Sequence, residues 1–322
     1  MGETEPRTEG SPGATAELER IGTGAGLQVV MGAARPLGRA VLEELAAAGS
    51  RVRGVTLDPA TLRGPLPDNV EITTADPLKS GDLVKACQGG EVVYDCFEPG
   101  HLNWKRVFRE ATRNILSASI EAGAELVLAN HLIAEERDNA STESDLLNAH
   151  RSNLIRTVVA RMPQLYGPGV VNTLWRGIFE SAVSDKKAHW MGDPEVVRSL
   201  LYVSDAASKM ILLGRSLWAH GRAWNLSGPP PISGRSFIEF AYRAAGKEPQ
   251  VGRWGRGVML TGRLLSSEAK GFLELPYNYY DSFILDGSEF MEAFPSMPYT
   301  PHEEAIAATY KWFEARSQKN SR

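Results

Sequence analysis

The sequence has few cysteines, no long apolar run and no large excess of either charge. Only Cys87 and Cys96 occur among 322 residues, and both lie in apolar surroundings without metal-ligand spacing. We therefore expect buried thiols in a reducing compartment rather than disulfides or a metal site. No run is apolar and long enough to span a bilayer, and the first residues lack the pattern of a signal peptide. These absences predict a cytoplasmic protein with no membrane partner.

The charge and composition exclude further classes of protein. A net charge of -4 gives no electrostatic basis for binding nucleic acid or an anionic membrane. The charged fraction of 23% and the hydrophobic fraction of 43% are typical of a soluble globular chain, here long enough for one large domain or two. Residues 1–25 contain almost no large apolar side chain, so we expect a flexible tail there.

The stretch from Leu27 to Gly49 has the pattern of a strand, a glycine turn and a helix. The short β-branched run that ends at Met31 predicts the strand. Apolar residues with helical spacing follow it, and Gly49 is the expected helix stop. Such a unit presents backbone N–H groups and the positive end of a helix to a phosphate, as the first βα turn of a dinucleotide-binding fold does.

The glycine turn departs from the usual fingerprint at one position. The fingerprint has three glycines, for the turn, for close approach of a pyrophosphate and for helix packing. Gly32 and Gly38 supply the first and last, whereas Arg35 or Pro36 occupies the middle position. A side chain there either crowds the pyrophosphate or, in the case of Arg35, contacts it. We take these four residues and Leu37 as candidate ligands of NAD or NADP; the alternative is a turn that binds nothing.

Strands and helices alternate along the first 131 residues. The patterns predict strands at 51–56, 70–73, 91–95 and 125–129 after the first one, with helices between them. This alternation of strands and helices is typical of an α/β protein with a doubly wound parallel sheet and right-handed crossovers.

Two aspartates follow strands at the edge where such sheets bind ligands. The tip of the second strand normally reads the adenosine ribose, where a carboxylate favours a 2′-hydroxyl and an arginine favours a 2′-phosphate. Asp58 lies one or two residues beyond that tip and precedes a proline, so ribose contact and a plain turn role both remain open. Asp76 follows the third strand, and we include both aspartates in the candidate cofactor-binding set.

Four later segments resemble the extended branch of the short-chain dehydrogenase/reductase superfamily, the NAD-dependent epimerase/dehydratase type. The segment at 161–169 is similar to R-P-x-x-x-Y-G-P-G, and 201–207 is similar to Y-V-x-D-x-A. The segments at 223–228 and 299–306 are similar to a (Y/W)-N-(V/L)-x-G strand and a closing P-x-x-x-E-G-I helix. The resemblance covers about residues 27 to 316 and implies a Rossmann-like domain with a smaller C-terminal substrate lobe.

The chemistry of that superfamily is not conserved in the motifs of this chain. Members that transfer hydride use a Ser or Thr after the fifth strand and a Tyr-x-x-x-Lys pair, but none of the nine tyrosines here has a lysine four residues later. By position, Asn130 or His131 replaces the hydroxyl residue, Glu135 the tyrosine and Asn139 the lysine. Alcohol or ketone redox chemistry by the superfamily mechanism is therefore not expected.

Other residues near these positions could transfer a proton. His131, at the carboxyl end of the fifth strand, has a side chain that titrates near neutrality. Glu98, on the neighbouring loop, and Glu135, just downstream, could orient it or act as a second acid/base group. Tyr166 lies in a segment that lines the substrate side in relatives, and its plainer role is packing. We interpret Arg161 as the partner of a carboxylate rather than a substrate ligand.

The resemblance also implies a domain organisation. Residues 26–170 and parts of 195–230 would form the dinucleotide-binding-type domain, and residues 171–194 and 231–316 the substrate lobe. Relatives commonly pair through two helices of the sheet, so a homodimer is an expectation. The aromatic residues of the second lobe favour a small apolar or ring-containing metabolite.

Three hypotheses about function follow. The first is an enzyme that acts on a small apolar metabolite by non-redox acid/base chemistry, such as isomerisation, cyclisation or elimination. The second is an NAD(P)-dependent reductase or epimerase with a non-standard proton donor. The third is a catalytically silent protein that binds a nucleotide or metabolite.

Overall fold

The computed structural model describes residues 26–62, 64–99, 104–132, 140–255 and 280–320. Its centre is a seven-stranded sheet whose neighbouring strands are all parallel. The strands of this sheet are β1 (Leu27–Met31), β2 (Arg51–Thr56), β3 (Val70–Thr74), β4 (Gly90–Asp95), β5 (Glu125–His131), β6 (Thr157–Met162) and β7 (Ala223–Asn225).

The strand order in the sheet is β7-β6-β5-β4-β1-β2-β3. The chain thus starts in the middle, builds outwards through β3 and returns to continue from β4 on the other side of β1. This is the doubly wound arrangement that the alternating pattern predicted, and it places a topological switch point between β1 and β4. Ligands of such sheets bind in the crevice beyond the carboxyl ends of the strands at this point.

The helices of the described residues connect and cover the strands. In chain order they are α1 (Pro36–Ala47), α2 (Ser80–Cys87), α3 (Trp104–Ala122), α4 (Ala140–Arg151), α5 (Thr173–Val183), α6 (Val203–Arg215), α7 (Gly234–Ala244), α8 (Ser288–Ala293) and α9 (His302–Asn320). None of these helices is long and apolar enough to cross a bilayer.

Helix α1 forms where the sequence pattern predicts it. Leu37, Val41, Leu42 and Leu45 recur at helical spacing and are all buried. The chain leaves the helix through Gly49, whose φ of +80° is a left-handed conformation that glycine adopts without strain. Burial of this apolar face against the sheet, rather than helix propensity alone, holds the helix in place.

Three clusters of buried side chains form the core. Two of them involve residues of the large sheet and its flanking helices, with both cysteines buried there as free thiols. The third cluster packs α5, α7 and α9 together with the short strand Ala188–Met191. The second half of the chain therefore forms a lobe with its own core next to the sheet.

The aromatic side chains of this second lobe fill its core. Trp175, Phe179, Trp190 and Phe237 are at most 1% exposed. The rings pack on one another, with centroids 4.7 Å apart for Trp175 and Phe237. Because these rings are buried in the core, their presence is explained by packing and gives no support to the expectation of an apolar substrate.

Candidate cofactor and proton-transfer site

The two glycines of the first turn are required by their surroundings. Gly32 has a φ of +70°, and a Cβ atom there would lie 2.5 Å from the backbone oxygen of Cys96. A Cβ atom at Gly38 would overlap the backbone oxygen of Gly32. Gly32 therefore lets β4 approach the turn, and Gly38 lets α1 pack closely on the end of β1.

The middle position of the turn does not need a glycine. Arg35 has a φ of −84° and a ψ of 154°, an ordinary extended conformation for the residue that precedes a helix. Its side chain is exposed and forms no ion pair or hydrogen bond with the described part of the chain. Arg35 thus leaves the turn intact and places a cation beside it.

The N-terminus of α1 is open to an anion. No side chain caps it, and its first turn contains no acidic residue. Pro36, the first helical residue, has no N–H group, and the N–H groups of Leu37 and Gly38 have no acceptor within the helix. The side chain of Leu37 is buried in the core, so Leu37 can bind a ligand only through its backbone. Two N–H donors and the helix dipole converge here, as in a phosphate site.

A cavity of about 250 Å³ lies next to this helix end. Gly32 and Arg35 of the turn form one side of it. Thr56, the last residue of β2, and Asp58, just beyond this strand, also line it, as does Pro77 after β3. Phe97, which follows β4, closes another side of it. The cavity is therefore at the carboxyl ends of the parallel strands, where the switch-point rule predicts a nucleotide.

The two candidate aspartates hold their own loops. Asp58 Oδ1 accepts the backbone N–H of Ala60 at 2.9 Å, so this residue caps a short 3₁₀ turn while it also lines the cavity. Asp76 Oδ1 accepts the N–H of Leu78 at 3.0 Å, and Asp76 does not line the cavity. The geometry thus agrees with the turn role considered for Asp58, and of the two aspartates only Asp58 lines the cavity.

His131 and Glu98 lie at or just beyond the carboxyl ends of the neighbouring strands β5 and β4, on the other side of the switch point. His131 is the last residue of β5 and is half-buried, and Glu98 is exposed on the segment after β4. Burial lowers the pKa of the His131 imidazole below its usual 6.5, and the negative charge of Glu98 opposes this shift. Because burial dominates, the imidazole is neutral at pH 7 and can accept a proton.

The remaining proton-transfer candidates have different positions. Glu135 lies outside the described residues. Tyr166 is wholly buried, and its hydroxyl lies 2.9 Å from Nδ1 of His302. Since Nε2 of His302 is 3.1 Å from the backbone oxygen of Pro230 and donates to it, Nδ1 is the acceptor and Tyr166 the donor. Burial also raises the pKa of Tyr166, so the structure favours packing over proton transfer for this residue.

A buried polar network holds α4 against the sheet. Asn130 of β5 donates an Nδ2–H hydrogen bond to Glu143 of α4. Arg161 of β6 donates from Nε to both carboxylate oxygens of Glu143, at 2.9 and 3.0 Å. The interpretation of Arg161 as the partner of a carboxylate agrees with this geometry. Asn130, one of the two candidates for the superfamily's hydroxyl position, therefore has a structural partner in Glu143.

Asp95 was not identified from the sequence. It is the last residue of β4 and is 1% exposed, and its Oδ1 accepts the backbone N–H of Phe97 at 3.0 Å. Burial raises the pKa of this carboxyl from 3.8 to about 7. The signal in the sequence is a single carboxylate that ends the otherwise apolar run Val92-Val93-Tyr94. Because Phe97 lines the cavity, Asp95 helps to shape the site.

Comparisons with known proteins agree with this location. Residues 32–155 match a family model described as NAD(P)H-binding. That range contains the glycine turn, the cavity and both His131 and Glu98. The comparison with curated proteins found no match to this sequence.

Solved structures of epimerases and of a dehydratase share the fold at low sequence identity. The epimerase Mth375 from Methanothermobacter thermautotrophicus is 15% identical with a TM-score of 0.76, covering 95% of this chain and 97% of its own. DesIV, a dTDP-glucose 4,6-dehydratase from Streptomyces venezuelae solved with NAD bound, is 14% identical with a TM-score of 0.72 and coverages of 91% and 98%. The UDP-glucose 4-epimerase of Thermotoga maritima is 16% identical with a TM-score of 0.73 and coverages of 90% and 99%.

The chain therefore has the Rossmann-like fold of these epimerases and dehydratases. The fold class inferred from the alternating pattern, and the resemblance to the extended short-chain dehydrogenase/reductase type, are both confirmed at the level of the fold.

Proposed function

We propose that this protein is an NAD(P)-binding enzyme in which His131, assisted by Glu98, transfers a proton on a small metabolite. The cavity beside the uncapped N-terminus of α1 is the observation that carries the proposal. The N–H groups of Leu37 and Gly38 would hold the pyrophosphate together with Arg35, and the adenosine would occupy the cavity next to Asp58. The match to the NAD(P)H-binding family model supports this assignment.

The remaining half of the cofactor belongs on the other side of the switch point. In this fold a dinucleotide crosses the crevice, so the residues near a nicotinamide would be Glu98 and His131, at the ends of β4 and β5. Bound NAD(P) supplies a hydride donor or acceptor. The neutral imidazole of His131 accepts a proton from a substrate hydroxyl or carbon acid, and the Glu98 carboxylate stabilises the imidazolium that forms.

Proton transfer alone accounts for an isomerisation or an elimination, in which His131 returns the proton to another atom of the substrate. This non-redox chemistry is our first choice because no tyrosine of the chain carries the Tyr-x-x-x-Lys spacing. Hydride transfer with His131 as the proton acceptor is the second choice, favoured by the match to the NAD(P)H-binding model. The two are distinguished by whether the nicotinamide absorbance changes during turnover.

Cofactor binding is tested by calorimetric titration of NAD⁺, NADH, NADP⁺ and NADPH into the purified protein. We expect at least one of the four to bind, and we expect Ala34→Trp to abolish binding because Ala34 lines the cavity and a large ring fills it. Ala48→Trp, at the exposed far end of α1, is the matched control. Absence of binding by the wild-type protein at millimolar cofactor, or equal binding by both variants, would overturn the proposal.

A catalytically silent binding protein is the competing outcome. His131→Ala and Glu98→Ala should abolish turnover of an identified substrate while they leave cofactor binding intact. Full activity of both variants would exclude His131 and Glu98 from the chemistry.

A further inference from the structure

The side chain of Asp95 lies behind the wall of the cofactor cavity. Its neighbour Met31 on β1 lines the cavity, and so does Phe97, which follows Asp95 in the chain. Ile115 of α3 lines it as well, one turn after Thr112, whose hydroxyl group acts on the Asp95 carboxyl. Asp95 is 1% exposed and is not itself a lining residue. It can therefore affect a bound molecule through its charge and through these wall residues, but not by direct contact.

Two groups donate towards the Asp95 carboxyl. The backbone N–H of Phe97 lies 3.0 Å from Oδ1 and forms a hydrogen bond. The hydroxyl of Thr112 lowers the pKa of Asp95 from nearby, without the geometry of a full hydrogen bond. Within the described part of the chain, Oδ2 of Asp95 accepts no hydrogen bond. The carboxyl group is therefore held at one oxygen only, which a neutral carboxylic acid tolerates better than a carboxylate does.

No cation of the described residues compensates a charge on Asp95. Burial raises its pKa, and only the two donors oppose this shift. The titratable groups that interact with Asp95 are the thiols of Cys87 and Cys96, and burial raises their pKa values too, so both stay neutral. The adjacent strands place Met31 and Leu128 beside it, and neither titrates. A carboxylate in such surroundings is costly, and the neutral form is favoured.

The cofactor would bring negative charge to the other side of this wall. Its pyrophosphate is a dianion, which the N–H groups of Leu37 and Gly38 would hold. The turn that leads to these groups touches the end of β4, because Gly32 packs against the backbone oxygen of Cys96, the residue after Asp95. Like charges repel one another, and the repulsion is weakly screened in a protein interior. A bound pyrophosphate and an ionised Asp95 therefore disfavour each other.

We propose that Asp95 couples binding of the cofactor to proton uptake: the neutral carboxyl group accepts the anionic cofactor nearby, and the carboxylate weakens its binding. This inference rests on the proposed function, since it requires a dinucleotide in the cavity. The bound anion raises the pKa of Asp95 above the value of about 7 that it has in the free protein. The affinity is then full below pH 7, falls as the pH rises towards the higher pKa of the complex, and is constant above it.

The test titrates NADH and NADPH into the full-length protein by calorimetry at several pH values. Two buffers of different ionisation enthalpy report the protons taken up on binding. For the wild-type protein we expect proton uptake and an affinity that falls about tenfold between about pH 6 and 9, the equivalent of a shift of one pKa unit. The 2′-phosphate of NADPH titrates in every variant alike, so differences between variants isolate the contribution of the protein.

Two substitutions separate Asp95 from other titrating groups. Asp95→Asn keeps an oxygen for the N–H of Phe97 and does not titrate, so the fall in affinity for NADH should disappear. Thr112→Val removes the hydroxyl that lowers the pKa of Asp95, so the fall should begin at higher pH. Asp68→Asn removes an exposed carboxylate that precedes β3, at the amino end of the strand, and is the matched control that should keep the wild-type dependence.

The outcomes distinguish this inference from the proposed function. Binding of NADH or NADPH with an affinity that does not change with pH, or with the same fall in Asp95→Asn, would overturn the inference and leave the proposed function intact. Absence of binding at every pH would overturn both. Circular dichroism shows whether each variant is folded, and if Asp95→Asn is not, the shift expected for Thr112→Val decides: an unchanged pH dependence in that variant would contradict the role of Asp95.

Discussion

The carboxyl group of Asp95 accepts the backbone N–H of Phe97 at 3.0 Å and thereby ties the end of β4 to a wall of the cofactor cavity. Neither residue is part of the glycine turn, yet the backbone oxygen of Cys96 between them lies against Gly32. The second carboxyl oxygen of Asp95 is buried and accepts no hydrogen bond from the part of the chain that the structure describes. Asp95 is thus a buried titratable side chain that also helps to shape the cavity.

We expect Asp95→Ala to destabilise the protein by about 1–3 kcal/mol, because the N–H of Phe97 loses its acceptor in a buried position. Asp95→Asn keeps an oxygen at the same place and should cost less. Urea unfolding of both variants measures the difference. If Phe97 shapes the site, the cofactor affinity falls in the Ala variant and is kept in the Asn variant; identical behaviour of the two would contradict this role.

Asp95 and His220 should make opposite contributions to the pH dependence of stability. The pKa of Asp95 is raised in the folded state from 3.8 to about 7. Its contribution to the free energy of unfolding is therefore present at low pH and is lost as the pH rises through 7. Burial lowers the pKa of His220 from 6.5 to about 4, so its contribution is present above pH 6.5 and is lost as the pH falls towards 4.

Between pH 4 and 6.5 the two effects offset each other in the wild-type protein. Asp95→Asn removes one of them, so its free energy of unfolding should fall more steeply on acidification, by up to about 1.4 kcal/mol per pH unit. Urea unfolding at several pH values measures this slope. His220→Phe should change the slope in the opposite direction, and parallel curves for all three proteins would show that neither group is shifted.

Glu98 should hold the pKa of His131 above the value that burial alone would give. We therefore expect Glu98→Gln to lower the pKa of His131, followed as the titration of its imidazole proton in NMR spectra. His131→Gln identifies the signal among the six histidines. Glu121→Gln, on the exposed end of α3, is the control and should leave the pKa unchanged. If turnover is measurable, the acidic limb of its pH profile should move to lower pH in Glu98→Gln.

Arg35→Gln should weaken binding of the cofactor by about tenfold, because a cation beside the pyrophosphate is lost while the backbone of the turn, with its ordinary φ of −84°, is unchanged. Calorimetry at two salt concentrations measures both the affinity and its electrostatic part. Arg51→Gln is the matched control, because Arg51 is exposed at the amino end of β2 and the cavity lies at the carboxyl ends of the strands. Tighter binding by Arg35→Gln would show instead that the arginine side chain crowds the pyrophosphate.

The sequence by itself determined the order of the elements around the site. Alternating apolar runs and helical spacing predicted β1 to β5, and the pair Gly32 and Gly38 predicted the turn between β1 and α1. These features depend on residues close together in the chain, whose patterns report the period of a strand or a helix directly. The parallel sheet follows from their alternation, because right-handed crossovers leave few other arrangements.

Only the tertiary structure decided which side chains share an environment. Tyr166 matched a segment that lines the substrate side in relatives, but its contact with His302, 136 positions away, places it in the core. The effect of Glu98 on His131 and the anchor that Asp95 provides both depend on how separate elements pack together. Burial and pairing are set by these distant contacts, which change pKa values and leave donors unsatisfied without leaving a periodic pattern in the chain.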